Sequence, residues 1–337
     1  MKIAIVGGSF DPVHEGHIAM AEQAVTTLGC DQAWFMPSKK TPLKDRGLTD
    51  DVHRLAMLKI VAARNDRFRV CTMELERQGI SYTVDTLRQL KQMYPHDTFY
   101  WLIGNDQLKQ FADWKEPETL VKLAHFVCFD RNGELNDTNY AIQRCHMPMM
   151  PVSSSEIRCG NKLNYLPREV LNYIYDHRLY VKGFIESRVK PHRYRHSVSV
   201  ANLCEEMARA NHLDTQKAYY IGLFHDVAKA MPKQAMIQWM DILCPENEAY
   251  PVPVWHGFVG SEIVDRIFYI DDPQIKAAIY HHVLGTSTDP YAEIVFCADK
   301  TDPLRGYDSS AMIEACKKDI DAGFAWCKEE NKKYLNQ

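Results

Sequence analysis

Short apolar runs alternate with amphipathic helical segments over residues 1–180 of the chain. This alternation is typical of a parallel sheet that is covered by helices on both faces. It predicts a helix at 166–180 and six strands, at residues 2–6, 32–36, 68–71, 98–103, 125–129 and 146–149. After residue 184 the strand-like runs nearly stop and helical periods follow one another, which predicts an all-α region.

Two domains are expected from this change of pattern. A chain of 337 residues is long for one domain and ample for two. We place the boundary in the stretch 181–191, which contains Gly183 and Pro191. The predicted fold is α/β, with a doubly wound, Rossmann-like parallel-sheet domain at residues 1–182 and an all-α domain at residues 183–337.

Composition narrows the classes of partner. A net charge of −4 and a pI near 6.4 argue against a nucleic-acid-binding surface and favour small anions in local pockets. No apolar stretch reaches the length of a membrane span, so we expect a cytoplasmic protein without membrane partners. The ten cysteines are scattered singly and are interpreted as reduced packing residues. The oligomeric state stays open, a homo-oligomer included.

The first apolar run ends in a glycine-rich loop that leads into a predicted helix. Gly7 and Gly8 remove side chains where backbone must approach a ligand, and the helix beginning near Gly16 presents free N–H groups. His14 and His17 are three residues apart, so both rings can face the same oxygens. The loop is neither a Walker motif nor a dinucleotide fingerprint. It predicts a phosphate site, although an ordinary turn followed by two surface histidines would have the same sequence pattern.

Further polar clusters follow the ends of other predicted strands, where ligands bind in sheets of this kind. They are the basic loop with Lys39, Lys40 and Lys44, the segment 104–106, Arg131, and the segment 153–158. A charged loop is usually only a solvated one. Five loops at one edge of the sheet nevertheless predict a single site.

The eleven residues from Gly7 to His17, Gly-Gly-Ser-Phe-Asp-Pro-Val-His-Glu-Gly-His, resemble the signature of nucleotidyltransferases with a His-x-Gly-His motif. Downstream segments resemble the nicotinate-nucleotide adenylyltransferase branch of that superfamily: Ser-Tyr-Thr-Val-Asp-Thr at 81–86, Gly-Asn-Asp at 104–106, and Val-Ser-Ser-Ser-Glu-Ile-Arg at 152–158. The resemblance implies that Thr83 borders nicotinate mononucleotide, that Gly104 and Asp106 hold the adenosine end, and that Trp114 stacks on the pyridine ring. A helix cap and a core tryptophan would explain Thr83 and Trp114 equally well.

The resemblance implies one reaction, in which a nucleotide phosphate attacks the α-phosphorus of ATP and pyrophosphate leaves. Charge in the transition state would be stabilised by Mg²⁺ together with His14, His17, Lys44 and Arg158. No acid–base catalysis is required, because the attacking phosphate is already ionised. The remaining substrate-binding residues would be Gly7, Gly8, Ser9, Phe10, Arg131, Ser154 and Ser155. Another phosphate acceptor, such as phosphopantetheine or a sugar or lipid alcohol phosphate, is the alternative.

Polar residues fall on the apolar stripes of several predicted helices in the second half. Each of these polar residues lies seven positions from one apolar or small residue and three or four positions from another, as expected for one helix face. The five residues are His196, His225, His256, His282 and Asp299. A single buried histidine is usually a satisfied core residue, but five such groups together predict a shared metal centre. Asp226 adds a carboxylate that could bridge two ions. We choose His282 over the adjacent His281, because neighbouring residues cannot both face the core.

This order of histidines and aspartates resembles the HD superfamily of metal-dependent phosphohydrolases. His-Asp-Val-Ala-Lys at 225–229, Trp-His-Gly at 255–257 and Ala-Asp at 298–299 resemble the small HD enzymes that cleave diadenosine tetraphosphate into two ADP. The resemblance implies a two-metal centre, with iron expected and manganese or zinc also suited, bound by His196, His225, Asp226, His256, His282 and Asp299. Asp226 and Lys229 are assigned as catalytic: Lys229, one turn after His225, is a candidate phosphate contact unless it is an ordinary surface lysine, and Arg305 is a weaker candidate of the same kind. A domain that hydrolyses another phosphoester, or only senses a nucleotide, is the alternative.

Overall fold

The computed structural model describes residues 1–39, 47–77, 79–130, 138–148 and 150–335. The chain divides into two compact units. The first contains Met1–Arg158 and Asn164–Arg178, and the second contains Cys159–Leu163 and Leu179–Gln337. All strands of the described residues belong to the first unit, and the regular elements described in the second unit are helices.

The first unit is built on a sheet of six parallel strands, so the predicted doubly wound α/β fold is confirmed. The strands are β1 (Lys2–Gly8), β2 (Gln32–Pro37), β3 (Phe68–Val70), β4 (Thr98–Gly104), β5 (His125–Asp130) and β6 (Ile142–His146). Their order across the sheet is β3-β2-β1-β4-β5-β6. The order reverses between β1 and β4, which creates a crevice beyond their carboxyl ends.

Helices connect the strands because each crossover between parallel strands must return along a face of the sheet. In the first unit they are α1 (Glu15–Thr26), α2 (Asp51–Ala62), α3 (Met73–Glu76), α4 (Thr83–Met93), α5 (Asn105–Lys109), α6 (Pro117–Leu123), α7 (Ser154–Arg158) and α8 (Arg168–Asp176). The apolar stripe of α4, with Leu87 and Leu90, packs with Phe99 and Trp101 of β4 in one buried cluster. This core packs against β1 and β4, the two strands that border the crevice.

Two predicted elements of the first unit are wrong in their bounds. The sixth strand was expected at residues 146–149, but β6 occupies Ile142–His146. This strand lies at the edge of the sheet and is only partly buried, so it has no continuous apolar run, and the prediction followed the methionines beyond it. The helix predicted at 166–180 is shorter, because α8 spans Arg168–Asp176 and both Arg178 and Tyr180 adopt positive φ angles.

The second unit is an assembly of helices, as the apolar periods predicted. They are α9 (Val181–Glu186), α10 (Pro191–Ala210), α11 (Thr215–Phe224), α12 (Lys233–Leu243), α13 (Trp255–Arg266), α14 (Pro273–His281), α15 (Pro290–Thr301), α16 (Ser310–Lys318) and α17 (Ile320–Leu335). The boundary stretch 181–191 is itself mostly helical, and Phe184 of α9 stacks on Phe268 at 5.8 Å. None of the described helices is both long and apolar enough to cross a membrane.

A buried carboxyl on α15 gives the second unit a pH-dependent stability. Burial raises the pKa of Glu293 to about 7, and Asp321 and Asp289 act in the same direction. Because its pKa is higher in the folded protein, Glu293 contributes its full stabilisation of the fold below pH 4.5, the pKa of the group in the unfolded chain. This contribution is lost as the pH rises through 7. We therefore expect Glu293→Gln to be more stable than the unmodified protein by about 1–2 kcal/mol near pH 8, with little gain near pH 5.

Denaturant unfolding at the two pH values measures this difference. Glu314→Gln is the matched control, because Glu314 lies on the neighbouring α16 with its side chain 73% exposed. An equal gain at both pH values would show that Glu293 does not titrate between them.

Candidate functional sites

A cavity of about 920 Å³ opens in the first unit at the point where the strand order reverses. It is bounded by the carboxyl ends of β1 and β4 and by the starts of α1, α4, α5 and α7. Twelve of the residues predicted for the nucleotide site line it: Gly7, Gly8, Ser9, His14, His17, Thr83, Gly104, Asp106, Trp114, Ser154, Ser155 and Arg158. The described polar clusters that follow separate strands thus meet in one place.

The two histidines of the glycine-rich loop form a pair at the start of α1. Their ring centroids are 3.8 Å apart and the ring planes differ by 31°. The backbone N–H of His14 donates to Nδ1 of His17 at 3.3 Å, and the N–H of His17 donates to the carbonyl of His14 at 2.8 Å. Because Nδ1 of His17 accepts, a neutral ring carries its proton on Nε2, which makes that atom a hydrogen-bond donor. A donor beside a helix N-terminus suits phosphate oxygens.

The segment at the start of α7 is fastened to the same loop. Ser154 Oγ donates to the carbonyl of Pro12 at 2.9 Å, and Arg158 donates to the carbonyl of Asp11 at 2.6 Å and to Ser155 Oγ at 3.0 Å. The bonds to the carbonyls of Pro12 and Asp11 join positions more than 140 residues apart in sequence. They hold the guanidinium of Arg158 at the cavity wall, on the side of His14.

Arg54 of α2 is a residue that the sequence analysis missed. Its side chain is fully buried and donates to the carbonyls of Ser9 at 2.6 Å and Ser38 at 2.9 Å, and to Asp51 at 2.5 Å. It thereby ties together the loops that follow β1 and β2. An arginine in an amphipathic helix normally reads as a surface residue, so the sequence carries no signal for this role.

We expect Arg54→Met to lower the free energy of unfolding by about 3 kcal/mol, because two buried carbonyls lose their donor. Any turnover at the cavity should fall with it, since Ser9 belongs to the loop that forms the cavity. Thermal unfolding and turnover measure the two effects. Arg64→Met is the control, because Arg64 follows the same helix and is 45% exposed in a surface ion pair with Glu15. An Arg54→Met protein as stable as this control would contradict the role.

The opposite end of the cavity is aromatic and carries one exposed cation. Trp114 is half-buried and packs on Phe111, with ring centroids 5.4 Å apart. The ammonium of Lys115 lies 4.7 Å from the ring centroid of Tyr82 and pairs with Asp85 at 2.9 Å. Tyr82 and Lys115 line the cavity but were not singled out from the sequence. The only hint was their position beside Thr83 and Trp114.

Three of the predicted residues do not contribute a described side chain to the cavity. Phe10 is not among the lining residues: its side chain is 1% exposed and packs edge-on against His17 and Phe35, so it supports the loop from behind. The apolar ring finds more buried contact in the core than at the polar cavity wall. Lys44 and Arg131 lie outside the described residues.

The six residues predicted as metal ligands come together in the second unit, and all of them are buried. Asp226 is the centre of one group, with Oδ1 at 3.2 Å from His256 Nε2 and 4.0 Å from His282 Nε2. Asp299 is the centre of the other, with Oδ1 at 3.1 Å from His196 Nε2. His225 joins the groups, since its Nε2 is 3.8 Å from an oxygen of each aspartate.

The histidine rings are oriented by backbone carbonyls. Nδ1 of His225 donates to Gly222 at 2.7 Å, Nδ1 of His256 to Pro253 at 2.8 Å, and Nδ1 of His282 to Ile279 at 2.6 Å. Each bond fixes the tautomer and leaves Nε2 towards the carboxylates, which is how proteins present histidine to a metal. The adjacent His281 instead contacts Thr286 Oγ1 at 2.7 Å, away from the buried group.

Close packing of α10 against α11 brings His196 and His225 together. A Cβ atom on Gly222 would lie 2.6 Å from Cα of Ala201, so only glycine permits this approach. His196 is oriented by Asp302, a residue that the sequence analysis missed, whose Oδ2 is 2.6 Å from His196 Nδ1. Asp302 also accepts from Ser199 at 2.6 Å. Asp302 lies only three residues after Asp299, the last predicted ligand, and no sequence pattern distinguished it as the residue that orients His196.

The donor atoms fit a metal centre. Burial lowers the pKa of both His225 and His282, so these rings stay neutral and keep an Nε2 lone pair for a metal. Nε2 of His225 is buried and has no hydrogen-bond partner among the described residues. Two sets of ligand atoms lie within 4.8 Å of one another: His196, His225 and Asp299, and His225, Asp226 and His282. Imidazole and carboxylate donors suit iron, manganese or zinc.

Cationic side chains surround the two central carboxylates. Arg193 lies 3.0 Å and Lys229 3.6 Å from Asp226, while Lys300 lies 2.9 Å and Arg305 2.5 Å from Asp299. Burial by itself would raise the pKa of Asp299, but Lys300 and the hydrogen bond with His196 hold it well below its usual range. Lys229 and Arg305 were predicted as phosphate contacts, whereas Arg193 and Lys300 were missed. Together these cations provide positive charge for an anionic substrate.

Comparison with protein families gives a match for each half of the chain. The Cytidylyltransferase-like family matches residues 5–160, and the HD domain family matches residues 193–304. The chain is 40% identical over 185 residues to a Bacillus licheniformis protein named "Probable nicotinate-nucleotide adenylyltransferase", which covers 53% of this chain and 98% of that protein.

A second relative extends over both halves. The chain is 29% identical over 333 residues, 95% of its length and 96% of the relative's, to a Mycoplasma pneumoniae protein named "Probable nicotinate-nucleotide adenylyltransferase/Ap4A hydrolase". Among solved structures, the Plasmodium falciparum nicotinic acid mononucleotide adenylyltransferase complexed with NaAD matches 53% of this chain and 97% of its own, at 24% identity and a TM-score of 0.47.

Proposed function

The chain belongs to the nicotinate-nucleotide adenylyltransferase family and carries an HD domain after the transferase region, and from this we propose a bifunctional enzyme. Both family resemblances inferred from the sequence are confirmed. The first activity transfers adenylate from ATP to nicotinate mononucleotide, giving nicotinate adenine dinucleotide and pyrophosphate in the biosynthesis of NAD. The second hydrolyses diadenosine tetraphosphate to two ADP. The observation that carries the proposal is that the structure has two preformed sites: a cavity lined by groups that suit phosphate, and a buried set of histidines and aspartates that suits metal ions.

The transferase reaction needs positioning and charge stabilisation more than proton transfer. A phosphate oxygen of nicotinate mononucleotide forms a bond to the α-phosphorus of ATP, and the bond from that phosphorus to the pyrophosphate oxygen breaks. Both phosphates are ionised before the reaction, so no proton has to move. Nε2–H of His17, the paired ring of His14 and the guanidinium of Arg158 stabilise the charge that develops on the oxygens. Lys44 is proposed for the same task, with Mg²⁺ entering bound to ATP.

Nicotinate mononucleotide is the proposed acceptor because of the aromatic end of the cavity. Trp114 offers a ring on which a pyridine ring can stack, and Thr83 lies at the N-terminus of α4 beside it. The ammonium of Lys115, which pairs with Asp85, can exchange that partner for the carboxylate of nicotinate, a group that nicotinamide lacks. An acceptor without an aromatic ring would leave this part of the cavity unused.

An acceptor competition tests this assignment. The purified protein is incubated with ATP, Mg²⁺ and equal amounts of nicotinate mononucleotide, nicotinamide mononucleotide and phosphopantetheine. The products are then separated and identified by mass spectrometry. We expect nicotinate adenine dinucleotide as the main product, with pyrophosphate in equal amount. A dephospho-coenzyme A product would instead support the alternative acceptor.

The hydrolase proposal rests on the fit of the buried donor set to a metal pair. His196, His225, Asp226, His256, His282 and Asp299 would hold the ions, for which we propose iron. A bound pair supplies Lewis acidity to phosphate oxygens and lowers the pKa of water. The ammonium of Lys229 and the guanidinium groups of Arg193 and Arg305 bind and orient the phosphate chain, because a tetraphosphate carries several negative charges and these side chains surround the centre.

A further inference from the structure

Three cysteines that are far apart in sequence converge in the second unit, outside the HD centre. Cys297 belongs to α15, Cys316 to α16 and Cys327 to α17. Their Sγ atoms all lie within 4.8 Å of one another, and those of Cys316 and Cys327 are 3.9 Å apart. We call these three residues the thiol cluster. All ten cysteines are free thiols, as the sequence predicted, but these three are neighbours in space although they are scattered in sequence.

The thiol cluster is fully enclosed. The exposed fractions of Cys297, Cys316 and Cys327 are 0%, 0% and 2%. Phe296 and Phe324, whose ring centroids are 5.3 Å apart, belong to the same two helices as Cys297 and Cys327. Burial of this kind keeps water and soluble oxidants away from the sulfur atoms.

A close helix contact places two of the thiols side by side. A Cβ atom on Gly323 would lie 2.6 Å from both Cα and Sγ of Cys316, so α17 approaches α16 as closely as only glycine allows. Cys327 follows Gly323 by one helical turn and therefore faces the same side of α17. The two sulfur atoms are therefore adjacent because the backbones of α16 and α17 are in close contact.

The separations suit a metal ion. Two thiolates bound to one ion at about 2.3 Å stand about 3.8–4.0 Å apart, whereas a disulfide requires about 2.05 Å. The 3.9 Å between Cys316 and Cys327 is too long for a disulfide and fits two thiolates on one ion, as it also fits a hydrogen bond between two thiols. Thiolates select soft d¹⁰ ions over the harder ions favoured by imidazole and carboxylate. A divalent ion would leave a single negative charge on three thiolates, which is less costly to bury than the two charges left by a monovalent ion.

We propose that the thiol cluster is a structural site for one divalent d¹⁰ ion of the zinc class. As the three metal–sulfur bonds form, three thiol protons pass to solvent, so charge and atoms balance without an oxidant. The ion would cross-link α15, α16 and α17. Because α15 also carries Asp299, two residues beyond Cys297, this cross-link would fix the helix that presents a proposed ligand of the HD centre.

Cadmium titration of the full chain tests the proposal. Metal-free protein is held reduced with a phosphine and titrated with Cd²⁺, and the ultraviolet charge-transfer absorption from thiolate to cadmium is followed. The HD centre is silent in this absorption, because its proposed ligands include no thiolate. We expect an absorption at saturation that corresponds to one thiolate-bound cadmium per chain, with the cadmium taken up by the HD centre adding nothing to it, and displacement by a large excess of Zn²⁺. Absence of the absorption in the unmodified protein would overturn the proposal.

Variants locate the binding. Cys316→Ala should lower the absorption at saturation or weaken the affinity by at least about tenfold, since it removes one of three ligands. Cys244→Ala, which removes a buried cysteine of the same unit, should leave the titration unchanged. Equal absorption in the Cys316→Ala and unmodified proteins would place the ion elsewhere.

A measurement on the unmodified protein keeps the test independent of variant folding. Alkylation of partly unfolded protein followed by peptide mass spectrometry should show that Zn²⁺ protects Cys297, Cys316 and Cys327 together. Protection of none of the three, or a Cys316–Cys327 disulfide that forms in the presence of Zn²⁺, would show that the cluster is ordinary packing or a redox pair.

Discussion

Replacing His17 with alanine is expected to slow adenylyl transfer by about a hundredfold or more, while hydrolysis of diadenosine tetraphosphate continues unchanged. The variant loses the Nε2 donor at the start of α1 and the acceptor for the N–H of His14. In the proposed mechanism, both losses act where charge develops on the α-phosphate. Among the described residues, the cavity of the first unit and the HD centre have none in common, so the second activity has no reason to fall.

Initial rates of pyrophosphate release and of ADP formation on one preparation measure the two effects. His96→Ala is the matched control, because His96 is an exposed histidine of the same unit that does not line the cavity. A parallel loss of both activities in His17→Ala would contradict two separate sites. Unchanged transfer would remove His17 from the mechanism.

Replacing Asp226 with alanine should have the reverse effect. Asp226 has its oxygens within 4.0 Å of His225, His256 and His282, so its loss removes the carboxylate that joins these donors. We expect the protein to lose bound metal and to hydrolyse diadenosine tetraphosphate at least about a hundredfold more slowly, because even residues that only orient metal ligands cost 10–100-fold. Adenylyl transfer should keep its normal rate.

Metal analysis by mass spectrometry, after purification under reducing conditions, is the decisive readout for this variant. Asp226→Asn adds a second test, since it keeps the shape of the side chain while removing its charge. Asp241→Ala is the control, because Asp241 is an exposed carboxylate of the same unit on α12. Full metal retention in Asp226→Ala would show that the centre lies elsewhere.

The sequence was most informative where function imposes a rigid spacing. The loop from Gly7 to His17 could be interpreted because a strand, two glycines and paired histidines must follow each other directly to form a phosphate site. The buried histidines could be interpreted because polar residues on five apolar helix faces conflict with ordinary packing. Both signals are local, so no knowledge of long-range contacts was needed.

The residues that were missed act through contacts that no local pattern encodes. Arg54 is a buried arginine whose partners, Ser9 and Ser38, lie in loops distant in sequence. The thiol cluster depends on how three helices meet. The edge strand β6 was misplaced for a related reason, since partial burial at the sheet edge weakens the apolar signal that identifies a strand.

The most direct test of a bifunctional enzyme is to separate the nucleotides formed by one purified preparation. One portion receives ATP, Mg²⁺ and nicotinate mononucleotide, and another receives diadenosine tetraphosphate with ferrous ion under reducing conditions. The account predicts nicotinate adenine dinucleotide in the first and ADP as the sole nucleotide product in the second. AMP together with ATP in the second portion would place the attack at a different phosphorus, and no turnover of either substrate would contradict the proposed activity of that site.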